Sequence, residues 1–466
     1  MDEPFTRVWE KQVNEFLQQP VPDEIKEYGQ RTVADVCVAT VAGSAIPSIG
    51  NVAETMDCAS GEASVLGSNR RVAPNQAALL NTAAAIAQEV EEGHNTGGHV
   101  GASIVAGGLP VAEAEAINGE TFIEHSVRVY EICVRLERAI FAMKDKLNDA
   151  VPWLIRNPHS TWTTVGPALM AALCWGATPK QLRETFRIAA NLSVVSMHDP
   201  YAEGTPARNF TAGFSAQAGV SVALTGMAGL TGSQAAIEEV SDPFEDVLED
   251  GFASEFETLG QDWEISQQYL KPYPSCRYTH PPLDALQDAL NEAETTEENG
   301  TVPIDPDQIE QITVETFGNA TEMSHTEPDT LTGAKFSTPY VLARYLLDGA
   351  ITLDSFTPRK IDESRVKAIA NRVSLRQSER FENTFPESWG AAVQITFDDG
   401  TELTGEREYP RGDYREPLSN SAYQERNQEL LAAGLPSERV EPAMTALAEM
   451  EIKPVRSLVS HLTHCE

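Results

Sequence analysis

The stretch Glu89-Val90-Glu91-Glu92-Gly93-His94-Asn95-Thr96-Gly97-Gly98-His99 gathers three acids, two imidazoles and three glycines. Acids and imidazoles exchange protons near neutral pH, and glycine lets backbone approach a ligand closely. The same composition suits a solvated surface loop, so this segment alone leaves both roles open. A metal role for His94 and His99 has little support. Their five-residue spacing fits neither one helical face nor a zinc signature, and no metal is expected.

Four more segments carry candidate chemistry. Asn157-Pro158-His159-Ser160-Thr161-Trp162 stands before a predicted helix. A histidine at a helix N-terminus is disfavoured as a cation, so His159 suits a neutral base or donor, or plain capping. Ala207-Arg208-Asn209-Phe210 offers a permanent guanidinium, either a bidentate ligand for carboxylate or one half of a salt bridge. Lys271-Pro272-Tyr273-Pro274-Ser275-Cys276-Arg277-Tyr278-Thr279-His280 reads as a rigid basic turn at a domain junction, where ligand clefts are common. Lys335-Phe336-Ser337-Thr338-Pro339-Tyr340 reads as a capping turn leading into a helix.

The elements that must position these residues follow from periodicity. Up to about residue 265 the chain reads as helical: Val129, Cys133, Leu136, Ile140 and Met143 step by four and three along one face. Thr178-Pro179-Lys180-Gln181 combines an N-cap, a first-turn proline and a capping-box Gln, predicting a helix towards Met197. Small residues in Ala83–Ala87, Gly166–Ala172 and Ala212–Leu230 predict closely packed helices. Beyond Lys271, Ile312, Val314 and Thr316 alternate as in a strand. So do Val393, Ile395 and Phe397, followed by a hairpin-type Asp399-Gly400. Leu283–Leu290 and Tyr340–Leu347 read as helices, and residues 291–300 as a solvated loop. From Ser419 the helical pattern returns. The expected architecture is a large all-α domain over 1–270 and 406–466, with a smaller α+β domain over 271–405.

Charge narrows the function. The 466 residues hold 34 Lys+Arg against 70 Asp+Glu, a net charge of −36. Phosphate and anionic lipid would be repelled, so neither nucleic acid nor membrane is an expected partner. Only 10 of the basic residues are Lys. Excess carboxylate with little lysine predicts a protein adapted to concentrated salt, where screening suppresses self-repulsion. With 41% hydrophobic residues the chain is too apolar to be a disordered acidic polymer. It has no apolar run of the ~20 residues a membrane span needs. The opening MDEPFTRVWEKQ lacks a signal-peptide order, so a cytoplasmic location is expected. Six scattered cysteines form neither a disulfide framework nor an iron–sulfur pattern. Against this background, the few cations at Arg208, Lys271 and Arg277 suggest a small anionic substrate, a polycarboxylate.

In their order along the chain, these segments resemble the 2-methylcitrate dehydratase (MmgE/PrpD) family from about Phe16 to Arg456. The resemblance includes Asp35 with AGSAIP, the stretch ending at His99, NPHSTWTTVGPALMAAL, RNFTAGFSAQAG, KPYPSCRYTHPPLDAL and AKFSTPYVLARYLLDG. It implies a discontinuous all-α domain with an α+β lid, a homodimer, and cofactor-independent dehydration, decarboxylation or epimerisation of polycarboxylates. Dehydration of a 2-methylcitrate-like acid is the family's commonest assignment. By resemblance, His99 and His159 move protons and Glu89 shares or orients that load. Lys271, Arg208 and Arg277 meet substrate carboxylates, with His280 and His94 beside them. Three positions depart from the pattern: Glu89 stands where Asp is usual, Arg208 where Lys is frequent, and Gly93 where Thr is frequent. Arg208 keeps the charge but cannot deliver a proton. A non-catalytic dicarboxylate binder is the expectation from another class.

Overall fold

The computed structural model describes residues 9–56, 61–96, 98–150, 162–192, 204–234, 254–296 and 305–464. They fall into two units: one within Met1–Asp199, Ala207–Tyr269 and Asn420–Glu466, the other within Pro200–Pro206 and Leu270–Ser419.

In the first unit, short helical turns at Trp9–Val13 and Asn14–Phe16 precede α1 (Asp23–Ser44) and α2 (Pro47–Thr55), then the two-residue pair β1 (Ala63–Ser64) and β2 (Arg71–Val72). Next come α3 (Pro74–Ala87), α4 (Val100–Ala114), α5 (Gly119–Ala150), α6 (Trp162–Cys174), α7 (Pro179–Asn191) and α8 (Ala207–Met227). The helices are rich in small residues because they touch at the backbone. A Cβ on Gly43 of α1 would lie 1.9 Å from the Ala84 carbonyl oxygen of α3. α7 starts with the predicted capping box, in which Thr178 and Gln181 satisfy each other's backbone N–H.

The second unit begins with α9 (His280–Thr296) and continues through β3 (Ile309–Thr316), α10 (Thr338–Asp348), α11 (Ser364–Ala370), β4 (Val373–Gln377), β5 (Ala391–Phe397) and β6 (Glu402–Arg407). The strand order is β4-β3-β5-β6, with β3 and β4 parallel and the other pairs antiparallel. Ile312, Val314, Val393 and Ile395 share a core with Leu283 and Leu286 of α9. The β5–β6 turn uses Gly400 at φ 83°, a left-handed conformation that glycine adopts without strain. β4 alternates only through Val373 and Leu375, and was not foreseen. It is a sheet edge, reached by the long helical crossover that parallel pairing requires. α9 continues to Thr296, so NEAETT forms its last turns rather than the expected loop, as its Glu and Ala residues favour. Residues 406–419 stay with this unit, since Arg411 N–H donates to Asp284 and Leu270 N–H to Gly412.

The chain then returns to the first unit with α12 (Asn420–Gly434), α13 (Ser437–Ala448) and α14 (Val455–His461). The fold is a large helical domain, discontinuous in sequence, plus a smaller α+β domain. No single described helix is long and apolar enough to cross a membrane.

Candidate active site

The acid–His stretch joins α3 to α4, and four contacts within the helical unit tie it down. Asp35 of α1 is fully buried and accepts the Glu92 backbone N–H at 2.6 Å. Its other oxygen pairs with Arg426 of α12 at 2.8 Å, and Arg426 also donates to the Val90 carbonyl. The Glu92 carboxylate accepts Gly101 N–H at 2.6 Å, capping the first turn of α4. Gly93 and Tyr269 exchange N–H···O bonds of 3.1 and 2.8 Å. Helices from both ends of the chain thus hold residues 90–93.

Thus held, the stretch divides its polar groups between two directions. Glu92 and His94 turn towards Tyr130 of α5. The Tyr130 hydroxyl lies 3.2 Å from Glu92, and its ring stands edge-on to His94. Burial, and then the nearby Asp35 charge, push the Glu92 carboxyl up to about 8. His94 accepts Thr96 N–H on Nδ1 at 3.2 Å, and its Nε2 lies 3.5 Å from Glu264. Burial depresses the basicity of His94, which therefore stays neutral. Burial would also raise Glu264, but hydrogen bonds from His94 and Arg138 outweigh it and hold that carboxyl at about 2.

Glu89, Glu91 and His99 form the other set. Glu89 follows α3 at φ 56°, a conformation that costs a non-glycine residue roughly 1–2 kcal/mol. Such strain marks functional positions. Its carboxylate pairs with Arg208 Nη1 of α8 at 2.5 Å. His99, the N-cap of α4, places Nδ1 3.0 Å from the Glu92 carbonyl and 3.2 Å from Glu91 Oε1. Both neighbours accept, so Nδ1 carries the proton and Nε2 of the neutral ring carries the lone pair. Glu91 is fully buried, and its carboxylate stabilises the imidazolium that forms when His99 takes a proton. Ligand atoms of Glu89, Glu91 and His99 lie within 4.8 Å of one another, close enough to hold a cation. Arg208 already pairs with Glu89, and the Nδ1–H of His99 already faces Glu91.

The basic turn belongs to the α+β unit. Lys271 is fully buried there. Arg277 donates to the carbonyls of Arg411 at 2.8 Å and Pro410 at 3.2 Å, and to His280 Nδ1 at 3.1 Å. His280 in turn donates through Nε2 to the Ser275 carbonyl at 3.2 Å. Lys335, from the segment read as a capping turn, donates to the Pro274 carbonyl at 2.9 Å and lies 4.4 Å above the Phe356 ring. The turn is therefore held internally by three cationic or imidazole side chains.

Of the residues expected at the site, Glu89, His99 and Arg208 come together in the helical unit, while His94 faces Glu264. Lys271, Arg277 and His280 lie in the α+β unit. His159 lies outside the described residues. Tyr269 and Arg426 carry contacts that no sequence signal had singled out, and Lys335 lay in a segment read as a capping turn. Glu91 stood in view among three acids, but only its distance to His99 distinguishes it.

Fold and site together define a protein with an acid–base centre on a discontinuous helical domain, joined to an α+β domain. The model of the MmgE/PrpD N-terminal domain matches residues 12–257 and that of the C-terminal domain residues 273–450. The chain belongs to the MmgE/PrpD family. It is similar to a cis-aconitate decarboxylase-like protein, oryM, of Aspergillus oryzae, with 24% identity over 94% of this chain and 93% of that protein. It is 22% identical to cis-aconitate decarboxylase of Aspergillus terreus, over 86% and 84% of the two chains. With the Mus musculus cis-aconitate decarboxylase it shares 24% identity over 63% and 59%.

Proposed function

We propose that this chain is a cofactor-independent lyase that moves a proton at a carbon next to a carboxylate, dehydrating a 2-methylcitrate-like polycarboxylate. The observation that carries this reading is the buried Glu91–His99 pair beside the Glu89–Arg208 ion pair. His99 Nε2 takes the proton, and Glu91 compensates the charge on the ring. A substrate carboxylate exchanges with Glu89 on Arg208, and Glu89, once displaced, orients the substrate or shares the proton load. His159 assists departure of the hydroxyl group as water, leaving a carbon–carbon double bond.

A second reading has support in the cis-aconitate decarboxylases to which the chain is similar. Carbon dioxide would leave instead of water, and the same histidine would return a proton to the carbanion. Epimerisation of an amino-dicarboxylate would share the proton-abstraction step alone. A dicarboxylate binder without turnover would have no use for a buried base pair.

The test is proton exchange and product analysis by NMR in heavy water, in concentrated salt as the −36 charge recommends. The candidates are 2-methylcitrate, citrate, cis-aconitate and aspartate-derived acids. Loss of water from 2-methylcitrate, undiminished by a chelator, is the expected outcome. Carbon dioxide from cis-aconitate would transfer the assignment to decarboxylation. Tight binding without exchange from any acid would overturn the enzyme reading.

A further inference from the structure

A glycine stands between the two proton-handling residues Glu91 and His99, and a phenol occupies the space beside it. Gly93 and Tyr269 form a hydrogen-bonded antiparallel pair, the geometry that puts both side chains on one face. A Cβ built on Gly93 would lie 2.3 Å from Tyr269 Oη and 2.4 Å from Cζ, closer than any side chain tolerates. It is therefore the polar tip of the tyrosine that lies across residue 93. The ring is buried and stands edge-on to His99, with centroids 6.5 Å apart and planes at 87°. Neighbouring residues 92 and 94 send their side chains the other way, towards Tyr130 and Glu264. Position 93 thus falls on the same side as Glu91 and His99.

We propose that Tyr269 is a specificity-determining residue of this site, its hydroxyl taking the volume of a side chain at position 93 and donating to a substrate carboxylate. The assignment rests on the acid–base reading above. A phenol is protonated at neutral pH and brings a neutral donor to a carboxylate without adding charge beside His99. The two positions are coupled: any side chain at 93 must displace the phenol, and loss of the phenol leaves room for one.

Two measurements test this. With the acid that the wild type turns over best, Tyr269→Phe removes the hydroxyl and keeps the ring. KM should rise about 10-fold or more, with a smaller change in kcat, as for loss of a hydrogen bond to a charged group. The order of preference among the acids should change as well. Unchanged KM and preference would overturn the proposal. In the second measurement, Gly93→Thr should lower thermal stability sharply in the wild-type background and much less alongside Tyr269→Ala. Equal losses in both backgrounds would overturn the exchange of volume. If the wild type turns over none of the acids, the acid–base reading fails, and calorimetric binding of tricarballylate decides Tyr269. Weaker binding to Tyr269→Phe supports the proposal; equal binding, or none to either protein, overturns it.

Discussion

His94 and His99 sit five residues apart in one connection between two helices, yet they are built for opposite tasks. His94 is buried against Tyr130 and Glu264, neutral, and part of a network with Arg138. His99 caps α4 with its protonated nitrogen turned to Glu91 and a backbone carbonyl. The neighbouring acids divide the same way: Glu92 closes the first turn of α4, while Glu91 backs an imidazole. Residue type does not separate the two sets. What separates them is the partner that packs on each side.

The comparison is broken or sharpened most directly at the two histidines. His99→Ala should reduce the turnover of the folded protein about 1,000-fold, within the range lost with a general base. His94→Ala should do the reverse, lowering stability while the folded fraction keeps its kcat. Turnover assays paired with circular-dichroism melts decide it, and the division fails if His94→Ala abolishes turnover in a folded protein.

Glu91→Gln comes next, with an expected fall of roughly 100-fold in kcat. Removing the carboxylate makes the imidazolium harder to form, so the acidic limb of kcat/KM should move to lower pH. A pH–rate profile with the limb unmoved would separate Glu91 from His99.

On the structural side, Glu264→Gln leaves Arg138 and Arg135 facing an amide and should cost about 3 kcal/mol at pH 7. The Glu264 carboxyl is held at about 2, below the 4.5 of an unfolded chain, so its contribution is present above pH 4.5 and lost as pH falls towards 2. Urea unfolding at constant salt should show that acid-side loss in the wild type and a flatter curve in the variant.

An effect of opposite sign is expected at Glu92. Its folded carboxyl titrates at about 8 against 4.5 unfolded, so the native state binds more protons between those values and loses stability as pH rises through them. Glu92→Gln keeps an acceptor for Gly101 and should remove that decline, leaving the variant more stable than the wild type above pH 8. An unchanged slope would mean that Glu92 is ionised in the native protein.

Much of the fold was legible along the chain because its signals are local. The capping box at Thr178–Gln181, the alternation through β3 and β5 and the Asp399-Gly400 turn each need only a few neighbouring residues. β4 was missed because only Val373 and Leu375 of its five residues are apolar, too short a run to stand out from the chain around it. The site was legible as segments: the acid–His stretch, Arg208 and the basic turn all carry unusual chemistry in few residues.

What the sequence determined by itself is therefore the inventory: a helical domain interrupted by an α+β domain, and the short stretches where proton-handling and cationic groups concentrate. Which of three acids and two histidines form the candidate base was decided only by the tertiary structure. The reason is physical. A side chain's role depends on the dielectric and the charges it meets, and for this loop those come from Asp35, Tyr130, Arg208, Glu264, Tyr269 and Arg426, each distant along the chain. No spacing rule within eleven residues contains that information.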